Sequence, residues 1–193
     1  KKPWNRRAAA YACQQINGYL QPNRATIINL LSIEEREGKS FLAKYFAQYW
    51  ESEGLHVRIV NHDIDFEKES KSYVQAQQLS DFWQLNDAEQ QPDIILVEYP
   101  ALCHYDVPEK VLAESDFNLL VANAARLWSE KDNARLRSVK DILKDKSLYL
   151  YLNNADRETV ESFTGELPPH NSVHSFFRRL AQLGLTSQKA AVK

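Results

Sequence analysis

The residues of this sequence that are most able to do chemistry are Gly38, Lys39 and Ser40. They end the acidic stretch that begins at Glu34, and they open a run with apolar residues at helical spacing. Phosphate binding in a strand–loop–helix unit uses backbone N–H groups at a helix N-terminus, a lysine that reaches the outer phosphates and a hydroxyl that binds magnesium. The order Gly-Lys-Ser supplies these parts, so the sequence predicts a phosphate-binding loop here.

The first half of this loop departs from the phosphate-binding pattern. Ile33 stands where GxxxxGK[ST] places glycine, and the next four residues include Glu34, Glu35 and Glu37. Carboxylates that face a triphosphate would repel it, whereas outward-pointing carboxylates would not. A plain strand-to-helix turn, in which Lys39 faces solvent, is the alternative interpretation.

Polar residues also follow two other apolar runs of strand length. Asp63 and Asp65 end the segment HVRIVNHDID, and Glu98 ends the run that starts at Ile94. Ligands of an open parallel sheet bind beyond the carboxyl ends of its strands, so these carboxylates could meet the predicted loop. For the aspartates the alternative is a solvated loop that caps the next element, and for Glu98 it is a contact with a helix N-terminus or a salt bridge.

The elements that must position these residues alternate along the chain. Strand-length apolar runs occupy residues 25–31, 56–65, 92–100, 116–124 and 147–155, and helical spacing marks 5–20, 38–54, 70–85 and 129–145. Alternation of this kind implies right-handed crossovers and a mainly parallel sheet with helices on both faces. The sequence thus predicts a three-layer α/β, P-loop NTPase-like fold. In its first long helix, Phe41, Tyr45, Phe46 and Tyr49 are expected to pack in the core.

Composition limits the number of domains and the classes of partner. The 193 residues, 44% of them hydrophobic, suit one domain, with an N-terminal helix in 1–24, a nucleotide-binding core in 25–165 and a C-terminal helix and tail in 166–193. A net charge of −2 gives no basic field for nucleic acid. No apolar run approaches the roughly 18 residues of a membrane span. Because the sequence contains no methionine, we expect a piece of a longer protein.

The two cysteines, Cys13 and Cys103, fall outside any zinc-ligand spacing. Cys103 precedes His104, but adjacent residues do not readily present both side chains to one substrate without a third, orienting group. The sequence therefore predicts neither a zinc site nor a cysteine nucleophile.

The stretch SIEEREGKSFLAKYFAQYWESEGLHVRIVNHDID, residues 32–65, resembles the nucleotide-binding core of bacterial tyrosine kinases. These are P-loop proteins of capsule and exopolysaccharide assembly whose loop typically reads SxxPGEGKS. Five positions match that pattern: Ser32, Glu37, Gly38, Lys39 and Ser40.

Later motifs extend the resemblance. The family's VDxD appears as VNHD, which keeps Asp63 and puts Asn61 in the first acidic position, and IIDTPP appears as LVEYPA, with Glu98 in place of Asp. VANAARLW is similar to the family's VRAGRT stretch, and LYLYLNNAD is similar to its LGVVLN strand, which implies that Asn153 lies near the base.

The resemblance implies ATP or ADP with Mg²⁺ as ligands. The implied nucleotide-binding residues are Arg36, Glu37, Gly38, Lys39, Ser40, Phe41 and Asn153. Ser40, Asp63 and Glu98 would hold the metal, and Asp63 and Glu98 would serve catalysis. It further implies a cytoplasmic domain at the bacterial inner membrane that self-associates and works with a membrane-anchored polysaccharide assembly complex.

The departures from the family imply weakened or lost kinase activity. Asn61 and Glu98 change charge and reach at metal-organising positions, and Tyr151 is the last tyrosine, so the family's tyrosine-rich tail is missing. An inactive scaffold of the same assembly and a partitioning-type ATPase are the alternative functions.

Overall fold

The computed structural model describes residues 3–61, 65, 71–82, 91–156 and 158. The chain divides into two compact units, residues 1–155 and 156–193, and nearly all of the second lies outside the described residues. The predicted C-terminal helix and tail, residues 166–193, lie there too, as does Asp63 of the first unit. The single-domain organisation therefore stays a prediction.

Five parallel strands form one sheet in the first unit. They are β1 Thr26–Leu31, β2 Val57–Asn61, β3 Ile94–Glu98, β4 Phe117–Asn123 and β5 Leu148–Asn153. Their order is β2-β3-β1-β4-β5, which puts β1 in the centre. All six residues of β1 are buried, because a central parallel strand is covered on both faces.

Five α-helices accompany the strands in the described part of the chain. They are α1 Pro3–Ile16, α2 Lys39–Ser52, α3 Lys71–Gln75, α4 Glu109–Glu114 and α5 Glu130–Leu143. The helix predicted for 70–85 is wrong in length, since α3 ends at Gln75. The carboxylate of Asp81 accepts hydrogen bonds from the backbone N–H groups of Gln77 and Gln78, at 2.8 and 3.2 Å, and this capping starts a separate 3₁₀ turn.

Two hydrophobic cores lie on opposite faces of the sheet. Ile28 and Leu30 of β1 pack in the core that includes Trp50 of α2, and Leu31 packs in the core that includes Val139 of α5. Successive strand residues point to opposite faces, so one strand contributes to both cores. This arrangement confirms the predicted three-layer α/β fold. None of the described helices has both the length and the apolar character needed to span a membrane.

The strand register brings three residues to the same level at the carboxyl edge. Glu98 of β3 pairs with Leu30 of β1 on one side and with Asn61 of β2 on the other. The segment between β1 and α2 begins at Ser32, two residues after Leu30. The end of β3 is thereby placed beside the start of the predicted phosphate-binding loop.

Candidate functional site

Gly38 is the N-cap of α2 and has a left-handed backbone, with φ of 104° and ψ of 16°. A Cβ atom at this position would lie 2.0 Å from Nδ2 of Asn153, at the end of β5. The same Nδ2 donates a hydrogen bond of 2.9 Å to the carbonyl oxygen of Glu37. Glycine is therefore required here both by the backbone and by the close approach of Asn153, which fixes the loop to the sheet.

Lys39 lies along the loop, with only 6% of the residue exposed. Its Nζ donates to Oγ of Ser32 at 2.5 Å, and the Ser32 hydroxyl donates to the carbonyl oxygen of Glu34 at 2.6 Å. Arg36, halfway round the loop, is exposed and has a φ of 59°, which is uncommon for a residue with a side chain. Lys39 thus bridges the two ends of a tightly turned loop.

The carboxylate of Glu37 is turned into the protein and is 2% exposed. Its Oε2 accepts hydrogen bonds from the backbone N–H groups of Ile33 and Glu34, at 3.1 and 3.3 Å. Its Oε1 lies 2.7 Å from Nε of Arg126, which follows β4. One of the three loop acids is consequently neutralised by an arginine and braces the start of the loop.

Arg126 connects this carboxylate to a second one. Its guanidinium is 3.0 Å from the carboxylate of Asp132, which forms a capping box with Ser129 at the N-terminus of α5. The hydrogen bond from Arg126, and then those from Ser129, lower the pKa of Asp132 to about 2. Arg126 was not among the site residues predicted from the sequence; the signal that could have indicated it is a single arginine shortly after a buried strand, in VANAARLW.

Glu98 is a buried carboxylate, 1% exposed, whose contacts include Ser40 and Asn61. The Ser40 hydroxyl donates to its Oε1, and Nδ2 of Asn61 donates to its Oε2 at 2.9 Å. The contact between Ser40 and Glu98 gathers oxygen atoms of the kind that Mg²⁺ prefers, so these residues fit that ion. Asn61 adds a neutral amide where a second carboxylate would add charge.

Asp65 contacts the backbone of Asn61, so the cap of the next element considered for it stays a prediction. Its Oδ2 accepts a hydrogen bond of 2.7 Å from the backbone N–H of Asn61, and its own N–H donates to the carbonyl oxygen of Asn61 at 2.8 Å. These two contacts close a turn directly after β2. Asp63, the other acid of this segment, lies outside the described residues.

A cavity of about 340 Å³ opens at the loop. Its lining residues are Glu35 to Phe41, Glu98, Pro100, Ala101 and Tyr105. Phe41 is 36% exposed on this side, so its predicted core packing is wrong, whereas Phe46 is fully buried as predicted. The reason is that Phe41 lies on the side of α2 that lines the cavity, whereas its neighbour Leu42 packs in the core. Of the predicted site residues that the structure describes, only Asn153 does not line the cavity. It contacts the loop through its hydrogen bond to the carbonyl oxygen of Glu37.

No family model matches the chain, and no curated protein matches it. Among solved structures, the kinase domain of Escherichia coli tyrosine kinase ETK is similar, with a TM-score of 0.52 and 11% identity over 75% of this chain and 74% of that chain. A possible uridine kinase from Bacillus stearothermophilus has a TM-score of 0.46 and 12% identity over 75% of this chain and 98% of that chain. The likeness to the tyrosine kinase domain shows that the two chains share a three-layer α/β fold.

Proposed function

We propose that this chain binds ATP together with Mg²⁺ at the carboxyl edge of its sheet. The observation that carries the proposal is the contact between Ser40, in the first turn of α2, and Glu98, at the end of β3. It joins the hydroxyl of the Gly-Lys-Ser run to a buried carboxylate, and both line the same cavity. A plain strand-to-helix turn would have no need of this pairing.

Different residues of the site would bind the phosphates and the metal. The backbone N–H groups in the first turn of α2 would donate hydrogen bonds to phosphate oxygens, and Lys39 would exchange its contact with Ser32 for one with the outer phosphates. Ser40 and Glu98 would hold the metal. When bound, Mg²⁺ neutralises charge on the phosphates and fixes their orientation.

The loop acids oppose this binding less than their number suggests. The Glu37 carboxylate is paired with Arg126, and Glu34 accepts a hydrogen bond from the Cys103 thiol at 3.2 Å. Glu35 is exposed, so water and salt screen its charge. Local repulsion of a phosphate by the loop is therefore reduced before a cation enters.

We propose further that the domain acts in a capsule or exopolysaccharide assembly as a tyrosine-kinase-like module with weakened catalysis. It would lie at the cytoplasmic face of the inner membrane, associate with copies of itself and pass its nucleotide state to a membrane-anchored partner. The support for this is the motif resemblance together with the fold shared with a tyrosine kinase domain.

Calorimetric titration with ATP and Mg²⁺ tests the nucleotide proposal. The wild type should bind, Lys39→Ala should lose at least about tenfold in affinity, and Lys44→Ala, an exposed lysine of the same helix, should bind like the wild type. Because Lys39 is buried, Ser40→Ala is a second variant, which should lose the Mg²⁺ dependence of binding while keeping a folded thermal transition. If neither the wild type nor the variants release or take up heat on titration with ATP and Mg²⁺, the proposal is overturned.

A catalytically inactive scaffold is the second candidate function. The contact that favours it is the hydrogen bond from Asn61 to Glu98, since a neutral amide stands where the family pattern places an acid. A phosphate-release assay of wild type and Glu98→Gln separates the two functions. An enzyme must lose turnover in the variant, whereas a scaffold releases no phosphate in either protein.

A further inference from the structure

Three side chains with different metal-binding atoms converge beside the start of the loop. The donor atoms of Glu34, Cys103 and His104 lie within 4.8 Å of one another. The Cys103 thiol donates a hydrogen bond of 3.2 Å to Oε2 of Glu34. Ligand spacing in the sequence does not indicate this group, because Glu34 lies 69 residues away from Cys103 along the chain.

Backbone hydrogen bonds hold the two segments that carry these side chains. The N–H of Leu102 donates to the carbonyl oxygen of Ser32 at 3.0 Å, and the N–H of Cys103 donates to that of Ile33 at 2.9 Å. His104 belongs to a turn in which its N–H donates to the carbonyl oxygen of Ala101 at 3.1 Å. The positions of the three side chains are consequently set by main-chain pairing rather than by a loose surface loop.

The donor set and its spacing suit a zinc-type cation. Zn²⁺ takes thiolate sulfur at about 2.3 Å, and imidazole nitrogen or carboxylate oxygen at about 2.0–2.2 Å, in tetrahedral geometry. Those bond lengths put a sulfur and an oxygen ligand about 3.5 Å apart. Sγ of Cys103 and Oε2 of Glu34 are already 3.2 Å apart. The imidazole of His104 is exposed and can approach from the solvent side.

We propose that Glu34, Cys103 and His104 form a Zn²⁺ site with a water molecule as the fourth ligand. Thiolate and imidazole favour Zn²⁺ or Co²⁺ over Mg²⁺, so this site differs in metal preference from the one at Ser40 and Glu98. On binding, the S–H bond of Cys103 breaks, the sulfur keeps the electron pair and bonds the metal, and the proton passes to the buffer.

The surroundings of the Cys103 thiol keep it protonated when no cation is bound. Burial, and then the hydrogen bond from Cys103 to Glu34, raise the pKa of the thiol to about 11, with smaller electrostatic contributions from Glu34 and Glu35. A protonated thiol is a poor nucleophile, which argues against cysteine catalysis here. A divalent cation would offset the same carboxylates and favour the thiolate.

A bound metal would also connect two segments at the predicted nucleotide cavity. Glu34 belongs to the loop, and the turn that carries His104 begins at Ala101, which lines the cavity. Zinc would therefore hold the first half of the loop against the segment that follows β3.

Cobalt titration tests this site without any nucleotide, so its outcome does not depend on ATP binding. Co²⁺ added to the metal-free wild type should bind once per chain and produce the near-ultraviolet charge-transfer band of a cobalt–thiolate bond, and Zn²⁺ should abolish the band. Cys103→Ser should lose the band, whereas Cys13→Ser, which removes the other free cysteine, should keep it.

The remaining ligands need their own variants. Glu34→Gln and His104→Gln should each weaken Co²⁺ binding by at least about tenfold. His104 is exposed, so its replacement leaves the core intact, and the thermal transition of each variant verifies folding. The absence of a band in the wild type, a band that persists in Cys103→Ser, or an unchanged affinity in either of these two variants would overturn the three-residue site.

Discussion

Glu37 and Arg126 form an ion pair behind the loop, with 2.7 Å between Oε1 and Nε. The Glu37 side chain is 2% exposed and the Arg126 side chain 26%. The pair joins the loop between β1 and α2 to the segment after β4. It turns an acid that would oppose phosphate binding into a support for the loop.

Arg126→Met should lower the free energy of unfolding by about 2–3 kcal/mol. Loss of one partner of a fully buried pair costs more, but Arg126 is partly exposed, so solvent reduces the penalty. Urea unfolding at neutral pH measures the change. Arg137→Met, which breaks an exposed pair with Glu130 on α5, is the matched control and should change stability by less than about 0.5 kcal/mol.

The double variant Glu37→Gln with Arg126→Met checks the mechanism of that loss. It should recover part of the stability, because one of the two buried carboxylates that lose Arg126, Glu37, is then uncharged, whereas Asp132 stays charged. Equal losses in Arg126→Met and Arg137→Met would show that the buried pair does not support the loop.

Three glycine-to-alanine variants should lower the free energy of unfolding by different amounts, according to the backbone conformation and the space around each glycine. Gly18→Ala has nothing within 4 Å of the new Cβ and should be nearly neutral, and Gly54→Ala, with φ of 87° but open space, should cost about 1 kcal/mol. Gly38→Ala adds the collision with Asn153 and should cost more than Gly54→Ala. Unfolding free energies give the order, and a Gly38→Ala cost no larger than that of Gly54→Ala would contradict the close approach.

Asp132 should make stability depend on acid pH. Its pKa is about 2 in the folded chain against 3.8 for an unperturbed aspartate, so the unfolded chain takes up the proton first as the pH falls. Stability from this carboxylate, about 2 kcal/mol, is therefore fully present above about pH 5 and is lost as the pH falls towards 2. The difference in unfolding free energy between wild type and Asp132→Asn should shrink over that range; a difference that stays constant or grows would refute the shift.

Asn61→Asp should make stability depend on magnesium. The new carboxylate would lie beside Glu98, since the Asn61 side chain is 2.9 Å from Oε2, and repulsion should cost about 1–2 kcal/mol without metal. Millimolar Mg²⁺ should restore most of this loss and should affect the wild type less. Thermal unfolding with and without Mg²⁺ measures both, and an identical Mg²⁺ response in the two proteins would argue against a metal position at Glu98.

Local sequence patterns were sufficient to predict the sheet and the place of the loop. Apolar runs such as Thr26–Leu31 identify buried parallel strands, because a strand covered on both faces has no polar alternation. The Gly-Lys-Ser run between β1 and an amphipathic helix marked the start of α2 at Lys39. The length of α3 was not predictable in this way, since the Asp81 cap competes with helical periodicity.

The partners of the polar side chains were decided only by the tertiary structure. Glu37 contacts Arg126, which lies 89 residues away along the chain, and Glu34 contacts Cys103, which lies 69 residues away. Local periodicity tells which face of an element is apolar, but strand order and register determine which polar ends become neighbours. The sequence by itself therefore determined a parallel α/β sheet with a phosphate-type loop, and the β2-β3-β1-β4-β5 order decided which carboxylates are neutralised and which gather where a metal could bind.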